Sequence, residues 1–350
     1  MMNKFKVIIF WGLISVNINL FALDLTISNM SDTTKIEEFE SEIDFLNFEN
    51  VDIRRVVKLE GVKVKYLNFY RCLGNINDVL SIIDKSELVE LNITECFFED
   101  SSINIENIKI NSLILSIANS KGIFEFNNLE SIKSLYFFNS EILSVDFSRI
   151  NKNANVISVI NSSHIFSKNW NYISELSNLV RLRLEFQSRF KERLFLNNHK
   201  FLKEISLSNF TDIPILDSLT ELESLILNNI FKIEYNALNM LFLKNIMIRE
   251  LHIDNCNLTD IPKNISKLKN LEQLSLSGNK IQKFDYKLLK LKQLRTIYLD
   301  NNYISDFVIK NLTKTNLNQL NIEFNNLTKR IKIPEGSNII INQKGNPFRD

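Results

Sequence analysis

The stretch that decides the fold reads LEQLSLSGNKI at 271–281, LRTIYLDNNYI at 294–304 and LNQLNIEFNNL at 317–327. The three segments share leucine or isoleucine at the first, fourth and sixth positions and asparagine at the ninth. They follow one another at steps of 23 residues (294 − 271 and 317 − 294). A fixed period of this length predicts a stack of similar short units rather than an ordinary globular domain.

The pattern has a direct physical interpretation. The fourth and sixth residues belong to a short strand whose alternate side chains point to one side. The asparagine at the ninth position, here called the ladder position, is expected to point inward and to bond backbone groups of the turn through its amide. One turn cannot bury its own apolar side, so each must stack on the next. Asn279, Asn302 and Asn325 are therefore predicted to form a ladder.

The same frame extends toward the N-terminus and gives about thirteen repeats from residue 43 to residue 330. A shortened last turn at 331–350 is expected to cap the array, and residues 23–42 are expected to cap its start. In the repeat that begins at Ile110, the inward pair is placed at Leu113 and Leu115. The frame is weakest where Ser162 and Ile230 occupy the ladder position, so the repeat boundaries within 143–180 and 222–247 stay open.

The consensus LxxLxLxxNxL resembles that of the leucine-rich-repeat family, and the step Ile261-Pro262 followed by an apolar run is similar to the bacterial subtype. The resemblance covers residues 43–348. It implies an α/β repeat fold, a curved solenoid with parallel strands on the concave face and short helices or turns on the convex face. Members of the family mostly recognise other proteins, and the resemblance is to bacterial secreted or surface members.

The N-terminus predicts export. Lys4 and Lys6 precede an apolar run, and the small residue Ala22 follows it, which is typical of a cleaved signal peptide over residues 1–22. The run is shorter than the roughly 20 residues that span a bilayer. The mature chain is thus expected to be secreted, periplasmic or at the cell surface without stable membrane insertion, and release is not distinguished from surface attachment.

Composition and charge argue against nucleic acid as a partner. The chain carries 42 basic and 41 acidic residues, a net charge of +1, and lacks the long basic run that neutralises phosphates. The short cluster KLLKLK at 287–292 is interpreted as the solvated edge of one repeat. A protein partner of unknown identity is expected, and a glycan is the less favoured ligand.

Catalytic and metal sites are not predicted. His164, His199 and His252 are the only histidines, and His252 next to Asp254 could serve as a proton relay. No nucleophile motif accompanies that pair, and surface histidine–aspartate neighbours are common. Three scattered histidines and three cysteines do not supply a metal-ligand set. The protein is therefore expected to be non-enzymatic and to need no cofactor or metal.

The three cysteines, Cys72, Cys96 and Cys256, all fall at the ladder position. Cysteine suits that place as a small buried residue with a weak S–H donor. A disulfide between Cys72 and Cys96 is the alternative, because neighbouring strands bring their Cα atoms within bonding range. Buried free thiols are favoured, and the alternative stays open.

The outward strand positions are where a partner is expected to bind. Exposed apolar and aromatic side chains grouped on one face indicate an interaction site, and arginine is a frequent anchor. The candidate partner-binding residues are Tyr66, Tyr70, Ile114, Ile117, Tyr136, Phe138, Val156, Ile160, Arg181, Arg183, Phe186 and Ile226, followed by polar residues in the same columns at Glu250, His252, Asp254, Tyr298, Asp300, Asn321 and Glu323. The favoured function is a protein-binding module for a host or cell-surface molecule. The alternative is a structural repeat protein that assembles with itself.

Overall fold

The structure is a computed structural model that describes residues 13–349 except 20–21, 29–41, 56–58, 104, 110–111, 127–128, 143–146, 163–169, 192–193, 197, 217–218, 308–314 and 334–335. The chain divides into two compact units, here called unit 1 (Met1–Tyr172) and unit 2 (Ile173–Asp350). Most of the predicted leader, residues 1–22, and most of the predicted N-terminal cap lie outside the described residues, as does His164. In the described ranges, no helix has the length and hydrophobicity that a membrane span requires.

Unit 1 is built on two sheets. The strands of its larger sheet are β1 (Leu13–Asn19), β2 (Ala22–Ser28), β3 (Ile43–Glu49), β4 (Val64–Tyr70), β6 (Glu90–Thr94), β8 (Leu113–Ala118), β10 (Ile132–Phe138) and β12 (Val156–Ile160). The strands of its smaller sheet are β5 (Leu73–Gly74), β7 (Phe97–Ile103), β9 (Lys121–Phe126) and β11 (Glu141–Ile142). Its helices are α1 (Asn77–Leu80) and the 3₁₀ turns Ile53–Arg55 and Phe147–Arg149.

Unit 2 has one strand in each turn and helical segments between strands. Its strands are β13 (Arg181–Phe190), β14 (Glu204–Phe210), β15 (Ser224–Asn228), β16 (Glu250–Asp254), β17 (Gln273–Ser275), β18 (Thr296–Tyr298), β19 (Gln319–Asn321) and β20 (Ile340–Asn342). Its helices are α2 (Tyr235–Lys244) and the 3₁₀ helices Lys263–Lys267 and Tyr286–Lys290; a further 3₁₀ segment covers Trp170–Glu175.

The strands run parallel because each turn of the chain returns in the same register. In unit 1, Leu67 of β4 pairs with Leu91 of β6, and in unit 2, Leu274 of β17 pairs with Ile297 of β18. Each of the thirteen predicted repeats contributes one such strand, and β2 and β20 add one strand before and one after them. Among the strands that the structure describes, β1 alone departs from this arrangement, since it pairs antiparallel with β2. The predicted fold class, an α/β repeat with parallel strands, is confirmed.

The frame differs from the prediction at β8. Leu115 pairs with Leu91, and Ile117 pairs with Ile93, so the inward pair lies two residues later than predicted. Ile117 is fully buried, and its place among the outward residues was wrong. A shift of two residues does not exchange the two sides of the strand, because strand side chains alternate with a period of two. Ile114 therefore still points outward.

Unit 1 has short strands where the sequence predicted short helices. Directly after the ladder positions, Leu73 of β5 pairs with Phe97 of β7 in a second parallel sheet. Aromatic and branched residues at this point, such as Phe97 and Phe98, favour an extended backbone over a helix. Phe98 is buried while Phe97 is half exposed, so this second sheet encloses part of the core.

A chain of hydrogen bonds connects the ladder residues of unit 1. The backbone N–H of Cys72 donates to Cys96 Sγ (3.2 Å), and that of Cys96 donates to Ser120 Oγ (3.1 Å). The N–H of Ser120 donates in turn to Ser140 Oγ (3.3 Å), and that of Ser140 to Ser162 Oγ (3.3 Å). Each turn thus supplies the acceptor for an otherwise unpaired, buried N–H of the turn before it.

Asparagines take this role in the later turns of unit 2. Asn302 Nδ2 donates to the carbonyls of Leu276 (2.9 Å) and Leu299 (3.1 Å), while its Oδ1 accepts from Ile281 N (3.0 Å). Asn279 and Asn325 make the corresponding bonds in the neighbouring turns, and all three side chains are buried. The amide is suited to this place because it offers donors and an acceptor at once.

The three cysteines are free thiols with buried side chains. Burial raises the pKa of Cys256 to about 12. The hydrogen bond with Cys72, and after it burial, raises the pKa of Cys96, while the same hydrogen bond lowers the pKa of Cys72. Because only the thiolate is a good nucleophile or metal ligand, the Cys96 and Cys256 thiols are chemically quiet, and all three side chains pack in the ladder.

His199 makes the stability of unit 2 depend on pH. Its ring is 1% exposed, its Nε2 lies 2.8 Å from the Ile173 carbonyl, and burial lowers its pKa. The folded state therefore holds a neutral imidazole, whereas the unfolded state takes up a proton below its pKa of about 6.5. The contribution of His199 to the free energy of unfolding is therefore fully present above about pH 6.5 and decreases as the pH falls below that value.

We expect His199→Gln to remove part of the loss of stability between pH 7 and pH 5. Urea unfolding of wild type and variant across this range measures the effect, because all other titrating groups are common to both proteins. Parallel stability curves would show that His199 does not titrate differently in the two states.

Candidate functional site

A recess on the outward side of the unit 2 strands brings two predicted site residues together. It encloses about 470 Å³. Arg183 of β13 and Ile226 of β15 both line it, because each occupies the middle outward position of its strand and Ser206 of β14 lies between them in the register. The remaining lining residues are Lys203, Glu204, Ile205, Glu223, Ser224, Arg249 and Glu250.

Ion pairs between neighbouring strands surround this recess. The Arg181 guanidinium donates to both carboxylate oxygens of Glu204 and thereby lowers the pKa of that carboxyl. A second pair joins Lys203 Nζ to a Glu223 carboxylate oxygen at 2.8 Å. All four side chains are between one third and just over one half exposed, so these pairs set geometry and specificity more than stability.

Arg183 is held in place while part of its guanidinium remains unused. Its Nη2 donates to Glu185 Oε1 (3.0 Å), which also accepts from Ser206 Oγ (2.7 Å). Its Nε is buried and has no hydrogen-bond partner among the described residues. The exposed part of this oriented guanidinium, beside the apolar Ile226 side chain, suits a partner group that is part apolar and part acceptor.

The outward side of β16 and the following turns is polar, as predicted. The Ser275 hydroxyl donates to Asp254 (2.6 Å), and the Ser277 hydroxyl donates to Asp300 (2.7 Å). Burial raises the pKa of Asp254. His252 Nδ1 lies 3.9 Å from Asp254, beyond hydrogen-bond range, while its Nε2 lies 2.8 Å from the Gln273 amide. The proton relay considered from the sequence is therefore not assembled.

The outward side of unit 1 carries an apolar cluster, here called the Phe138 cluster, made of Tyr136, Phe138 and Ile160. Phe138 and Ile160 occupy paired positions on β10 and β12. Tyr136 lies two residues before Phe138, on the same side of β10. Phe138 is 43% exposed, although the other side of its strand is buried. An exposed phenylalanine at the end of a strand adds little to the core and is available to a partner.

Tyr66 and Tyr70 lie on the same side of unit 1, closer to its N-terminus. The Tyr66 ring stacks on Phe45 at 4.5 Å, and the Arg71 guanidinium lies over the Tyr70 ring at 4.7 Å. Between the two tyrosines, a strip of amides crosses three strands: Asn68 donates to Asn47 (2.7 Å). Asn92 continues the strip by donating to Asn68 (2.8 Å).

Phe186 was wrongly placed among the outward residues. It is buried, and its ring lies 4.9 Å from that of Phe190 and 5.7 Å from that of Phe210. The three rings fill the interior at turns that have no ladder asparagine. The other predicted residues, Tyr66, Tyr70, Ile114, Tyr136, Val156, Ile160, Arg181, Arg183 and Ile226, are half-buried in outward strand positions, as are the polar residues from Glu250 onward.

Sequence reasoning missed several groups of the site. Phe45 stands in the same outward column as Tyr66, 21 residues earlier, so the repeat frame could have identified it. The amide strip of Asn47, Asn68 and Asn92 occupies the next column and carries the same signal. Glu204 stands in the outward column of Arg181, 23 residues later, so the repeat frame could have identified it as well. Its pairing with Arg181, and that of Glu185 with Arg183, is seen only in the structure.

Metal chemistry has no basis in the described residues: no group of three or more histidine, cysteine or carboxylate side chains is placed to hold an ion. The outward side chains offer guanidinium, carboxylate, amide and aromatic groups instead. Those groups bind by hydrogen bonding, ion pairing and apolar contact.

Comparisons with known proteins agree with this architecture. Residues 247–304 match the family described as Leucine rich repeat. No curated protein sequence matches the chain significantly. An internalin from Listeria monocytogenes is similar in structure, with a TM-score of 0.62 at 20% identity over 84% of this chain and 85% of its own.

Two further solved structures are similar in fold. A leucine-rich-repeat protein from Leptospira interrogans has a TM-score of 0.55 at 17% identity, covering 88% of this chain and 79% of its own. The ectodomain of the plant receptor kinase GASSHO1/SCHENGEN3 from Arabidopsis thaliana has a TM-score of 0.55 at 19% identity, covering 84% of this chain and 36% of its own.

Proposed function

Because residues 247–304 match the leucine-rich-repeat family and the fold resembles that of leucine-rich-repeat proteins, we propose that the chain is a non-enzymatic module that binds a protein partner through the outward side chains of its strands. The observation that carries this proposal is the recess in unit 2, where Arg183 and Ile226 meet among paired charges. Arginine beside an apolar side chain is a frequent anchor of protein interfaces, and fixed charges around it select among partners.

The Phe138 cluster of unit 1 supports the same proposal from a separate place. Phe138 is exposed and Tyr136 and Ile160 are half-buried at outward strand positions, where grouped apolar side chains indicate an interaction site. The similar plant ectodomain was solved in complex with CASPARIAN STRIP INTEGRITY FACTOR 2, so this fold can present a binding surface for another polypeptide. The partner of the present chain is expected to be a protein, with a glycan less favoured.

We further propose that the protein acts outside the cytoplasm, either secreted or facing outward from the envelope. The support is the predicted leader over residues 1–22 and the similarity to an internalin of Listeria monocytogenes. A partner on a host cell or on the bacterial surface would fit this location.

Partner capture with paired variants tests the proposal. Envelope and host-cell extracts are passed over the protein, over Tyr136→Ser/Phe138→Ser, and over Arg183→Ala/Ile226→Ser. We expect one partner to be retained by the wild type and to lose at least about tenfold in affinity in one double variant, the usual cost of losing an interface anchor.

Two controls make this result decisive. Both double variants should melt at nearly the wild-type temperature, because the changed side chains are not in the core. A third variant, Phe201→Ser, alters an exposed phenylalanine outside the strands and should retain the partner. Equal capture by all four proteins would contradict the proposal.

The alternative of a self-assembling repeat protein is favoured by one feature. The strand β1 covers the edge of β2, yet β1 lies within the predicted leader. Cleavage near Ala22 would remove this cover, and an unpaired strand edge can recruit another chain. The oligomeric state of the exported protein separates the alternatives, since a binding module is expected to be monomeric and a self-assembling one is not.

A further inference from the structure

The lysine cluster that the proposed binding function leaves unused lies on the helical side of unit 2. Residues 263–292 contain eight lysines against two carboxylates, Glu272 and Asp285, which gives +6 (8 − 2). The whole chain has a net charge of only +1. Positive charge is therefore concentrated in this part of the molecule rather than spread evenly.

The repeat brings these lysines to one face. With steps of 23 residues, Lys244 at the end of α2 corresponds to Lys267 and Lys290 in the next two turns (267 − 244 and 290 − 267). Hydrogen bonds fix the stacking of the turns: Asn264 Nδ2 donates to the Asn239 carbonyl (3.0 Å), and Asn270 Nδ2 donates to the Ile246 carbonyl (2.9 Å). These bonds hold α2 against the following turn, and the 23-residue register of β17 with β18 gives Lys267 and Lys290 equivalent positions before their strands.

We call residues 240–247, 263–270 and 286–293 the lysine face. These three stretches contain no aspartate or glutamate. Their lysines are all exposed, namely Lys244, Lys263, Lys267, Lys269, Lys287, Lys290 and Lys292. Apart from Lys244, none of them makes an ion pair with any described residue, so their charge is not neutralised within the protein.

Large apolar side chains are exposed on the same face. Met240 is 46% exposed, Leu243 52% and Ile246 57%, and they correspond by the 23-residue step to positions 263, 266 and 269 of the next turn. The other side of α2 is buried through Leu238, Leu241 and Phe242. Helix α2 thus has a second apolar surface that the core does not use.

Asp260, Glu272 and Asp285 border this face in sequence, and Glu272 pairs with Arg249 (3.3 Å). Asp260 and Asp285 line a recess beside Lys263 and Lys287. Asp285 accepts a hydrogen bond from the backbone N–H of Lys287, and Asp260 accepts one from the Thr259 hydroxyl. Both carboxylates therefore serve local turns, and the field of the face as a whole stays positive.

We propose that the lysine face docks unit 2 onto the surface of an anionic lipid bilayer. Lysines near such a surface are attracted to its headgroup phosphates, and each strengthens association about fivefold. Basic side chains combined with exposed apolar ones are typical of helices that lie in the bilayer interface. A soluble polyanion would engage the lysines but would leave Met240, Leu243 and Ile246 without a contact, so the bilayer is the better fit.

This docking is separate from the proposed partner binding, because it uses the helical side of the turns and leaves the outward strand side chains uncovered. It needs no membrane-spanning segment. A protein held in this way would present the recess with Arg183 and Ile226 away from the bilayer.

Vesicle co-sedimentation tests the proposal with the purified full-length protein. Vesicles of phosphatidylcholine with phosphatidylglycerol are compared with vesicles of phosphatidylcholine alone, at low and high salt. The lysine-face variant is Lys267→Gln/Lys290→Gln/Lys292→Gln. The matched control, Lys133→Gln/Lys200→Gln/Lys344→Gln, removes the same charge from exposed lysines elsewhere. All proteins share residues 1–22, so any contribution of the predicted leader cancels.

We expect binding to the phosphatidylglycerol vesicles that weakens with salt. The lysine-face variant should lower the partition coefficient on the order of 100-fold, and the control variant only a few-fold. Leu243→Ser/Ile246→Ser should also weaken vesicle binding, while its melting temperature stays near that of the wild type. Absence of binding, or equal losses in the two triple variants, would overturn the proposal. Undiminished binding of the Leu243→Ser/Ile246→Ser variant, together with equally tight binding of the wild type to heparin, would overturn it in favour of a soluble polyanion.

Discussion

Replacing Leu274 by aspartate is expected to unfold the turns on both sides of β17. Leu274 is fully buried and lies in register between Leu251 and Ile297 on the neighbouring strands. A carboxylate at this place would have no partner, and burying an unpaired charge costs several kcal/mol. Loss of the leucine packing adds about 2–5 kcal/mol. Since a whole domain is stable by about 5–15 kcal/mol, most of the stability of these turns should be lost.

Thermal unfolding followed by circular dichroism measures this effect. The matched control is Thr296→Asp, which places the same charge at a half-buried outward position of the adjacent strand β18. We expect a small shift for the control and loss of the cooperative transition for Leu274→Asp. An unaltered melting curve for Leu274→Asp would show that the assignment of inward and outward positions is wrong.

The second large effect is expected for Asn302→Ala. The side chain of Asn302 bonds two carbonyls of its own turn, one of the turn before it, and the N–H of Ile281. Alanine would leave these backbone groups buried without that partner. Each unsatisfied buried group costs about 1–3 kcal/mol, so we expect a total loss of about 3–5 kcal/mol after partial relaxation.

Urea unfolding of Asn302→Ala against Asn326→Ala isolates the ladder contribution. Asn326 follows the ladder residue Asn325 directly but has an exposed side chain, so its replacement removes the same amide without removing ladder bonds. The midpoint should fall strongly for Asn302→Ala and by little for Asn326→Ala. Similar midpoints for the two variants would mean that the ladder bonds are replaced by water at little cost.

The sequence predicted the parallel repeat because its period is carried by side chains that must be inside. Leucines at alternating strand positions and asparagines at the ladder position recur at nearly constant steps. Exposed positions would not require the same residue type in every turn, so the recurrence marks these positions as buried. The cysteines at 72, 96 and 256 were placed by the same frame. They are buried and bonded to backbone groups of the same or neighbouring turns.

Two kinds of position were misassigned. Phe186 was counted as outward although it lies two residues after the inward Leu184, and the alternation along β13 keeps it on the buried side. At β8, Leu113, Leu115 and Ile117 are all apolar and two residues apart, so the inward pair fits at 113 and 115 as well as at 115 and 117.

Serine in the ladder was missed for a related reason. Ser120 and Ser140 complete the series between Cys96 and Ser162, yet serine is equally common on the surface and gives no signal of its own. It serves here because a hydroxyl can accept a hydrogen bond from a backbone N–H of the preceding turn.

The candidate site was predicted only in part. The frame gave the outward column that contains Arg183 and Ile226, and both line the recess. It also places Glu204 beside Arg181 on the next strand, but it does not show that the two side chains form an ion pair. Which outward charges pair depends on rotamers, which the repeat pattern does not encode.

The central claim is that the partner is a protein seated on the outward strand side chains. Site-specific photo-cross-linking tests it most directly, with the reactive group placed at Ile226 in the recess, at Tyr136 in the Phe138 cluster, or at Phe201 outside the strands. We expect a protein partner to cross-link from Ile226 or Tyr136 and not from Phe201. A partner cross-linked from Phe201 alone, with neither strand position reacting, would contradict it.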